Sequence, residues 1–270
     1  PYFAEHLVLA TPDNGVATAI YAACKATVKV GDGKEITLHE ETNYPFEEAI
    51  AFTVSTGEKV AFPFYLRIPS WTQKAEVRVN GKKVSAAPVA GKYLCINREW
   101  ANGDRVELTL PMSLSMRTWQ VNKNSVSVDY GPLTLSLKIA EKYVEKDSRE
   151  TAIGDSKWQK GADPQKWPTT EIYPDSPWNY SLVLDKKEPL KNFKVIRKSW
   201  PTDNYPFTVA SVPLEVKAIG RPVPEWKIDE TGLCGVLPEE DAVKGDKEEI
   251  TLIPMGAARL RISAFPNTKE

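Results

Sequence analysis

The chain has 270 residues, with 35 Lys+Arg against 36 Asp+Glu and a formal net charge of −1. Because positive and negative charges nearly cancel, the composition does not indicate a basic surface for binding a nucleic acid or an anionic membrane. No apolar run is long enough for a transmembrane helix. The 21 prolines outnumber the 15 glycines. Because each proline removes a backbone donor and clashes with the preceding helical turn, long helices are disfavoured throughout. The length is sufficient for two globular domains.

The first half of the chain alternates between apolar and polar side chains, which predicts β-strands. Phe62, Phe64 and Leu66 share one face of a strand, and Tyr65 and Arg67 share the other. About eight short strands of this kind fit within the first 112 residues, a spacing typical of a β-sandwich or jelly roll. Three turn signals separate them: Gly31-Asp32-Gly33, Asn80-Gly81 and Asn102-Gly103-Asp104.

The second half is also predicted to be all-β. Val126, Val128 and Tyr130 alternate before Gly131-Pro132 breaks the strand. Residues 141–205 differ, because they form a long Pro- and Trp-rich insertion. Further strands are predicted at Leu133–Ile139, Tyr180–Leu184, Phe193–Ile196, Phe207–Val209, Leu214–Val216, Ile250–Leu252 and Leu260–Ile262.

These patterns predict an all-β fold with two antiparallel β-sandwich (jelly-roll-like) domains in tandem. The first covers residues 1–116, and the second covers 117–270 with an irregular insertion at about 141–205. The predicted boundary lies near the segment Met112–Trp119.

Three dispersed cysteines, Cys24, Cys95 and Cys234, suit neither a disulfide framework nor a zinc site. We therefore expect all three to be structural, with Cys95 in a buried strand where a free cysteine acts as a small hydrophobe. No metal and no cofactor are predicted.

The sequence singles out no catalytic residue. His6 and His39 are the only imidazoles, and a catalytic triad stays open only because triads assemble in space. Glu40 and Glu41 make a poor carboxylate pair, since neighbours on a strand point to opposite faces. Asp129 is expected to be a solvated strand residue.

Two tryptophans are candidates for carbohydrate binding. Trp158 and Trp167 lie in polar, Lys- and Pro-containing surroundings, and exposed aromatic rings can stack on the C–H surface of a sugar. Trp178 follows Pro177 and leads into a predicted strand, so it is expected to be a packing anchor.

Seven strings in order resemble the C-terminal part of the β-L-arabinofuranosidase-like glycoside hydrolases, family 127 and its relatives. They are Tyr44-Pro45-Phe46, Leu66-Arg67-Ile68-Pro69-Ser70-Trp71, Val79-Asn80-Gly81, Trp100-Ala101-Asn102-Gly103-Asp104, Leu110-Pro111-Met112, Tyr130-Gly131-Pro132-Leu133, and Leu252-Ile253-Pro254 followed by Arg261-Ile262-Ser263. The resemblance implies an N-terminal (α/α)6 barrel followed by two β-sandwich domains. It places the cysteine nucleophile, a zinc held by Cys and Glu, and the Glu acid/base in that barrel. None of those residues can be carried over to this sequence, because the resemblance implies that the family's Cys-Cys motif should lie just before its first residue.

The sequence therefore predicts a non-catalytic β-sandwich module of a bacterial arabinofuranosidase-like glycoside hydrolase, whose partner is the parent's own barrel. Carbohydrate binding through Trp158 and Trp167, with a plant-type or other glycan, is the alternative, and an assembly surface is a third. The sugar, the linkage and the compartment are left open, a periplasmic or secreted parent included.

Overall fold

The computed structural model describes residues 2–147, 163, 165–239 and 245–270. Contacts divide the chain into two compact units. The first comprises Pro1–Leu114 and Tyr130–Leu133, and the second comprises Ser115–Asp129 and Thr134–Glu270.

The first unit contains two β-sheets. Its elements are α1 (Tyr2–Glu5), β1 (Val8–Ala10), β2 (Val16–Thr18), β3 (Cys24–Val30), β4 (Lys34–Thr42), β5 (Ala49–Thr56), β6 (Val60–Arg67), β7 (Glu76–Val79), β8 (Lys82–Lys83), β9 (Tyr93–Trp100) and β10 (Arg105–Thr109). One sheet has the order β1-β2-β6-β9, and the other has the order β3-β4-β5-β10-β7-β8, so that β3 and β8 are its edges.

Alternation in these strands fills a single core with side chains from both sheets. Phe62, Phe64 and Leu66 of β6 are buried with Phe52 of β5, as the period of two predicts. Trp100 is fully buried at the end of β9, where its indole stacks on Phe62 with ring centroids 5.6 Å apart. Its Nε1–H donates to the Phe62 carbonyl at 3.0 Å, which satisfies the polar atom of the ring.

The predicted hairpin turns are confirmed. Gly31-Asp32-Gly33 joins the antiparallel pair β3–β4, and Asn80-Gly81 joins β7–β8. Asn80 and Gly81 have φ values of 51° and 76°, as the tight two-residue turn of a hairpin requires.

The second unit is built on one large sheet. Its strands are β11 (Leu114–Trp119), β12 (Ser125–Tyr130), β13 (Leu133–Leu137), β14 (Glu141–Lys146), β15 (Thr169–Pro174), β16 (Tyr180–Leu184), β17 (Lys194–Arg197), β18 (Leu214–Pro222), β19 (Glu248–Pro254) and β20 (Asn267–Lys269), with a 3-10 helix at Met255–Ala257. The sheet has the order β11-β12-β13-β19-β18-β16-β20 with β17 on β18, and β14 and β15 form a separate ribbon.

The all-β class is confirmed, because the helices of the described residues are one turn of α-helix and one of 3-10 helix. Neither is long enough to span a membrane. Among the described residues, β2–β6 and β16–β20 are parallel, whereas pairs such as β3–β4, β6–β9 and β18–β19 are antiparallel. The jelly-roll likeness and the boundary at 116/117 stay predictions.

Several elements of the second unit differ from the predictions. Residues 207–209 and 260–262 form no strand. The Ile262 N–H donates to the Ser136 hydroxyl, and the Ile262 carbonyl accepts the Leu137 N–H. The backbone of Ile262 therefore bonds to these two groups without forming a strand. The insertion contains the ribbon β14–β15 in addition to β16 and β17, so its described part is more regular than predicted.

Candidate functional site

The structure describes one of the two tryptophans predicted to bind sugar. Trp158 lies outside the described residues. Trp167 precedes β15 and is 65% exposed, and its backbone N–H donates to the Asp163 carbonyl at 3.1 Å. The exposure suits a stacking role, which stays a prediction.

Trp178 is a packing residue, as predicted. It is half-buried and meets Trp226 edge to face, with ring centroids 5.2 Å apart and planes inclined by 66°. Trp226 is itself buried, and its Nε1–H donates to the Gly235 carbonyl at 2.9 Å. The Asn179 side chain donates to two carbonyls of the same loop, those of Val223 and Trp226. This network fixes the loop that precedes β16.

A buried carboxyl group is the main chemical feature of the first core. Glu40 lies on β4 with no exposed surface, accepting the Ala22 N–H at 3.0 Å and facing the Cys24 sulfur at 3.9 Å. Burial raises the pKa of Glu40 to about 8, although these donors lower it in part. Burial, with the nearby Glu40, raises the pKa of the Cys24 thiol to about 11. Both groups therefore keep their protons near neutral pH.

This protonation state bears on catalysis. A cysteine attacks as a thiolate, and a carboxyl group must be ionised to act as a nucleophile or base. In the Cys24–Glu40 pair the protonated form of both groups predominates at neutral pH. Glu41, the next residue, is exposed on the opposite face of β4, so the two glutamates form no carboxylate pair, as expected from the strand geometry.

A pair of tyrosines lies near the buried carboxyl group. Tyr21 is buried, and burial raises the pKa of its hydroxyl, which donates to the Arg67 carbonyl at 2.5 Å. Its ring meets Tyr44 edge to face at 5.8 Å, and the Arg67 guanidinium lies 6.0 Å from the Tyr21 centroid. Sequence reasoning missed this cluster. The alternation of β4 could have predicted the burial of Glu40, because Ile36, Leu38 and Glu40 occupy successive core-facing positions.

The prediction that Asp129 is solvated is wrong. Only 9% of its surface is exposed, and it accepts two hydrogen bonds from Arg117, at 2.7 and 2.9 Å, and one from Thr134 at 2.7 Å. This interaction raises the pKa of the Arg117 guanidinium. Arg117 lies on the neighbouring strand β11, and its fork supplies the fixed geometry of a bidentate ion pair. With both oxygens engaged and little of its surface exposed, Asp129 is a structural residue.

The expected burial of Cys95 is also wrong. Cys95 and Cys234 are exposed, and Cys24 is half-buried. In β9 the core-facing positions are Leu94 and Trp100, which places Cys95 on the outer face.

That outer face holds a cleft that sequence reasoning missed. Tyr65 and Tyr93 line it together with Asp13, and the Tyr65 hydroxyl donates to Asp13 Oδ2 at 2.5 Å. Half of the Tyr93 surface is exposed. The alternation of β6 already placed Tyr65 opposite the core, but nothing in the sequence showed which strands lie beside it.

No cluster of three or more His, Cys, Asp or Glu suited to a metal ion occurs within residues 2–147, 163, 165–239 and 245–270. His6 is exposed, and its Nδ1 lies 2.7 Å from the Tyr2 carbonyl. His39 is half-buried on β4.

The family model of the β-L-arabinofuranosidase GH127 middle domain matches residues 15–112. A GH127 β-L-arabinofuranosidase from Geobacillus stearothermophilus T6 superposes on 98% of this chain, with 20% identity and a TM-score of 0.63. The resemblance to the GH127 glycoside hydrolases is confirmed.

Two further structures share the fold. One is described as a glycoside hydrolase, with 23% identity over 95% of this chain and a TM-score of 0.59. The other is a GH127 β-arabinofuranosidase, with 21% identity over 96% and a TM-score of 0.60. The chain spans about a third of these proteins: 35% of the Geobacillus enzyme and 36% of each of the others. No curated protein sequence matches it.

Within the GH127-like first unit, the family-like strings build the scaffold. In Trp100–Asp104, the Asp104 carboxylate accepts the Ala101 N–H at 3.0 Å and the Asn80 amide at 2.7 Å, which ties two turns together. In Leu66–Trp71, the indole of Trp71 packs against the core from a half-buried position. The strings that carry the resemblance are therefore turn and core residues of the sandwich.

Proposed function

We propose that this chain is a non-catalytic accessory region of a GH127-type glycoside hydrolase, whose β-domains buttress an (α/α)6 catalytic barrel. One observation carries the proposal: residues 15–112 match the GH127 middle domain, while the superposition with the Geobacillus enzyme leaves about two thirds of that enzyme without a counterpart in this chain. The parent's substrate class, arabinofuranosides, belongs to the same proposal.

The chemistry of the described residues supports an accessory role. The Cys24–Glu40 pair is protonated at neutral pH, and Asp129 is held by Arg117. A retaining glycosidase needs an ionised nucleophile and a nearby acid, about 5 Å apart. Neither the Cys24–Glu40 pair nor Asp129 meets that requirement.

The test is an activity and association measurement. The purified 270-residue chain should not hydrolyse aryl β-L-arabinofuranosides, whereas co-expression with the barrel region of the same polypeptide should yield a stable complex with activity. Turnover by the chain alone, or failure of the two parts to associate, would contradict the proposal.

A second function, carbohydrate binding at the insertion, is supported by the exposure of Trp167. Glycan-array binding that is lost in Trp167→Ala and Trp158→Ala would establish it. A signal unchanged in both variants would remove the support.

A further inference from the structure

Two tyrosines lie together on the outer face of the four-stranded sheet. Tyr65 on β6 pairs with Cys95 on β9, and Arg67 pairs with Tyr93. Tyr65 and Tyr93 are therefore diagonal neighbours on one face, within the range over which aromatic side chains on adjacent strands act together.

A cleft of about 540 Å³ opens beside these rings. Ala17 of β2 lies opposite Tyr65, and its small side chain leaves the space that a larger residue would fill. The volume is within the range of sites that hold small ligands. The lining residues are Thr11, Pro12, Asp13, Ala17, Tyr65 and Tyr93.

The Asp13 carboxylate, at the rim of the cleft, is held in place by its neighbours. The Tyr65 hydroxyl donates to Asp13 Oδ2 at 2.5 Å, and the Thr11 hydroxyl donates to Oδ1. These hydroxyls lower the pKa of Asp13, so it is ionised at neutral pH. The turn is closed by Gly15, whose N–H donates to Thr11 Oγ1 at 3.0 Å. A Cβ at Gly15 would lie 2.3 Å from the Pro63 carbonyl oxygen, so only glycine fits this turn.

We propose that this cleft binds a neutral sugar residue of a glycan. The exposed Tyr93 ring offers an apolar surface to the C–H face of the sugar. The exposed Asp13 carboxylate at the rim has lone pairs beyond those used by Tyr65 and Thr11, and these accept a hydrogen bond from a sugar hydroxyl. The choice of a glycan rests on the proposed function, whereas the location rests on the tyrosines and the carboxylate. The negative charge of Asp13 disfavours uronic acids, so the site discriminates neutral from acidic sugars.

Isothermal titration of the whole chain with neutral arabino-, galacto- and xylo-oligosaccharides, and with an oligogalacturonide, tests the proposal. We expect binding of at least one neutral glycan and none of the oligogalacturonide. Tyr93→Ala should weaken binding about tenfold or more, and Tyr93→Phe should retain it, because the ring supplies the contact. Asp13→Asn should also weaken binding, because the charged acceptor is lost.

Tyr143→Ala is the matched control. Tyr143 is 52% exposed, and its hydroxyl donates to Glu141 at 2.5 Å, so it reproduces the tyrosine–carboxylate pair on the separate ribbon. The Tyr143→Ala substitution should leave the affinity for the neutral glycan unchanged. The melting temperature of Tyr93→Ala should stay near that of the wild type, since half of the side chain is already in solvent.

Three results would overturn the proposal: no binding of any neutral glycan, equal affinity in Tyr93→Ala, or binding lost in Trp167→Ala but kept in Tyr93→Ala. Hydrolysis by the chain alone would contradict the accessory role without affecting this site. The two proposals can therefore fail separately.

Discussion

The buried carboxyl group of Glu40 faces the Cys24 sulfur at 3.9 Å, and the most direct hydrogen bond to that carboxyl comes from the Ala22 backbone at 3.0 Å. None of the groups that shift the pKa of Glu40 is a cation. An ionised carboxylate in this core would therefore be unfavourable, because no positive charge would compensate for its burial. Stability must therefore depend on whether Glu40 keeps its proton.

We predict a pH-dependent stability that Glu40→Gln removes. The pKa of Glu40 rises from its ordinary value of 4.5 to about 8 on folding, so the folded state holds a proton that the unfolded state releases between these values. The contribution is fully present below pH 4.5 and is lost by about 1.4 kcal/mol per pH unit as the pH rises toward 8. Urea unfolding at several pH values should show Glu40→Gln gaining on the wild type as pH increases. Glu41→Gln, at the exposed neighbour, should keep the wild-type slope; equal slopes in all three proteins would contradict the prediction.

Thiol reactivity should separate the three cysteines. Cys95 and Cys234 are exposed, whereas Cys24 is half-buried with its pKa raised to about 11. Because the thiolate is the reactive form, a maleimide near pH 8 should modify Cys95 and Cys234 first. Mass spectrometry of the native chain measures the order, with the urea-unfolded chain as the control in which all three react. Modification of native Cys24 as fast as Cys95 would be inconsistent with its half-buried position and raised pKa.

Loss of the Asp129 carboxylate should destabilise the second unit. Asp129→Ala leaves Arg117 and Thr134 without their shared acceptor, at a cost of about 1–3 kcal/mol of unfolding free energy. Chemical denaturation measures the change. Glu145→Ala, at an exposed position of β14, should change stability by less than about 0.5 kcal/mol. A comparable loss of unfolding free energy in Asp129→Ala and Glu145→Ala would contradict a stabilising role for the Arg117–Asp129 ion pair.

Trp178 and Trp167 should differ in their effect on folding. Trp178→Ala removes the ring packed on buried Trp226 and should lower the melting temperature by several degrees. Trp167→Ala removes a side chain that is 65% exposed and should leave the melting temperature close to that of the wild type. Thermal unfolding followed by circular dichroism compares them, and an unchanged Trp178→Ala would reject its role as an anchor.

The first sandwich could be predicted from the sequence because each strand has one face in the core. Phe62, Phe64 and Leu66 are buried and Tyr65 is not, so local alternation determines which face is inward. Asn80-Gly81 similarly specifies its own turn, since both residues tolerate positive φ.

Features that depend on distant partners could not be predicted. The acceptor role of Asp129 requires Arg117 on a neighbouring strand, and the cleft beside Tyr65 requires Asp13 from a turn 52 residues earlier. In β12 and β16 every residue is buried, so alternation carries no information about the faces there. Cys95 lies between two apolar residues, so the sequence around it does not indicate which face it occupies. Leu94 and Trp100 are the buried positions of β9, and Cys95 alternates with them and therefore faces outward.

The edges of the six-stranded sheet bear on aggregation. Edge strands expose unpaired backbone groups that can recruit a second chain, and a net charge of −1 provides little long-range repulsion against such an encounter. At one edge, β3 presents exposed Lys25 and Lys29; at the other, β8 consists of exposed Lys82 and Lys83. Two copies that approached through the same edge would bring lysines together at close range. The sheet thus carries local protection against fibril-like pairing that the overall charge of the chain does not provide.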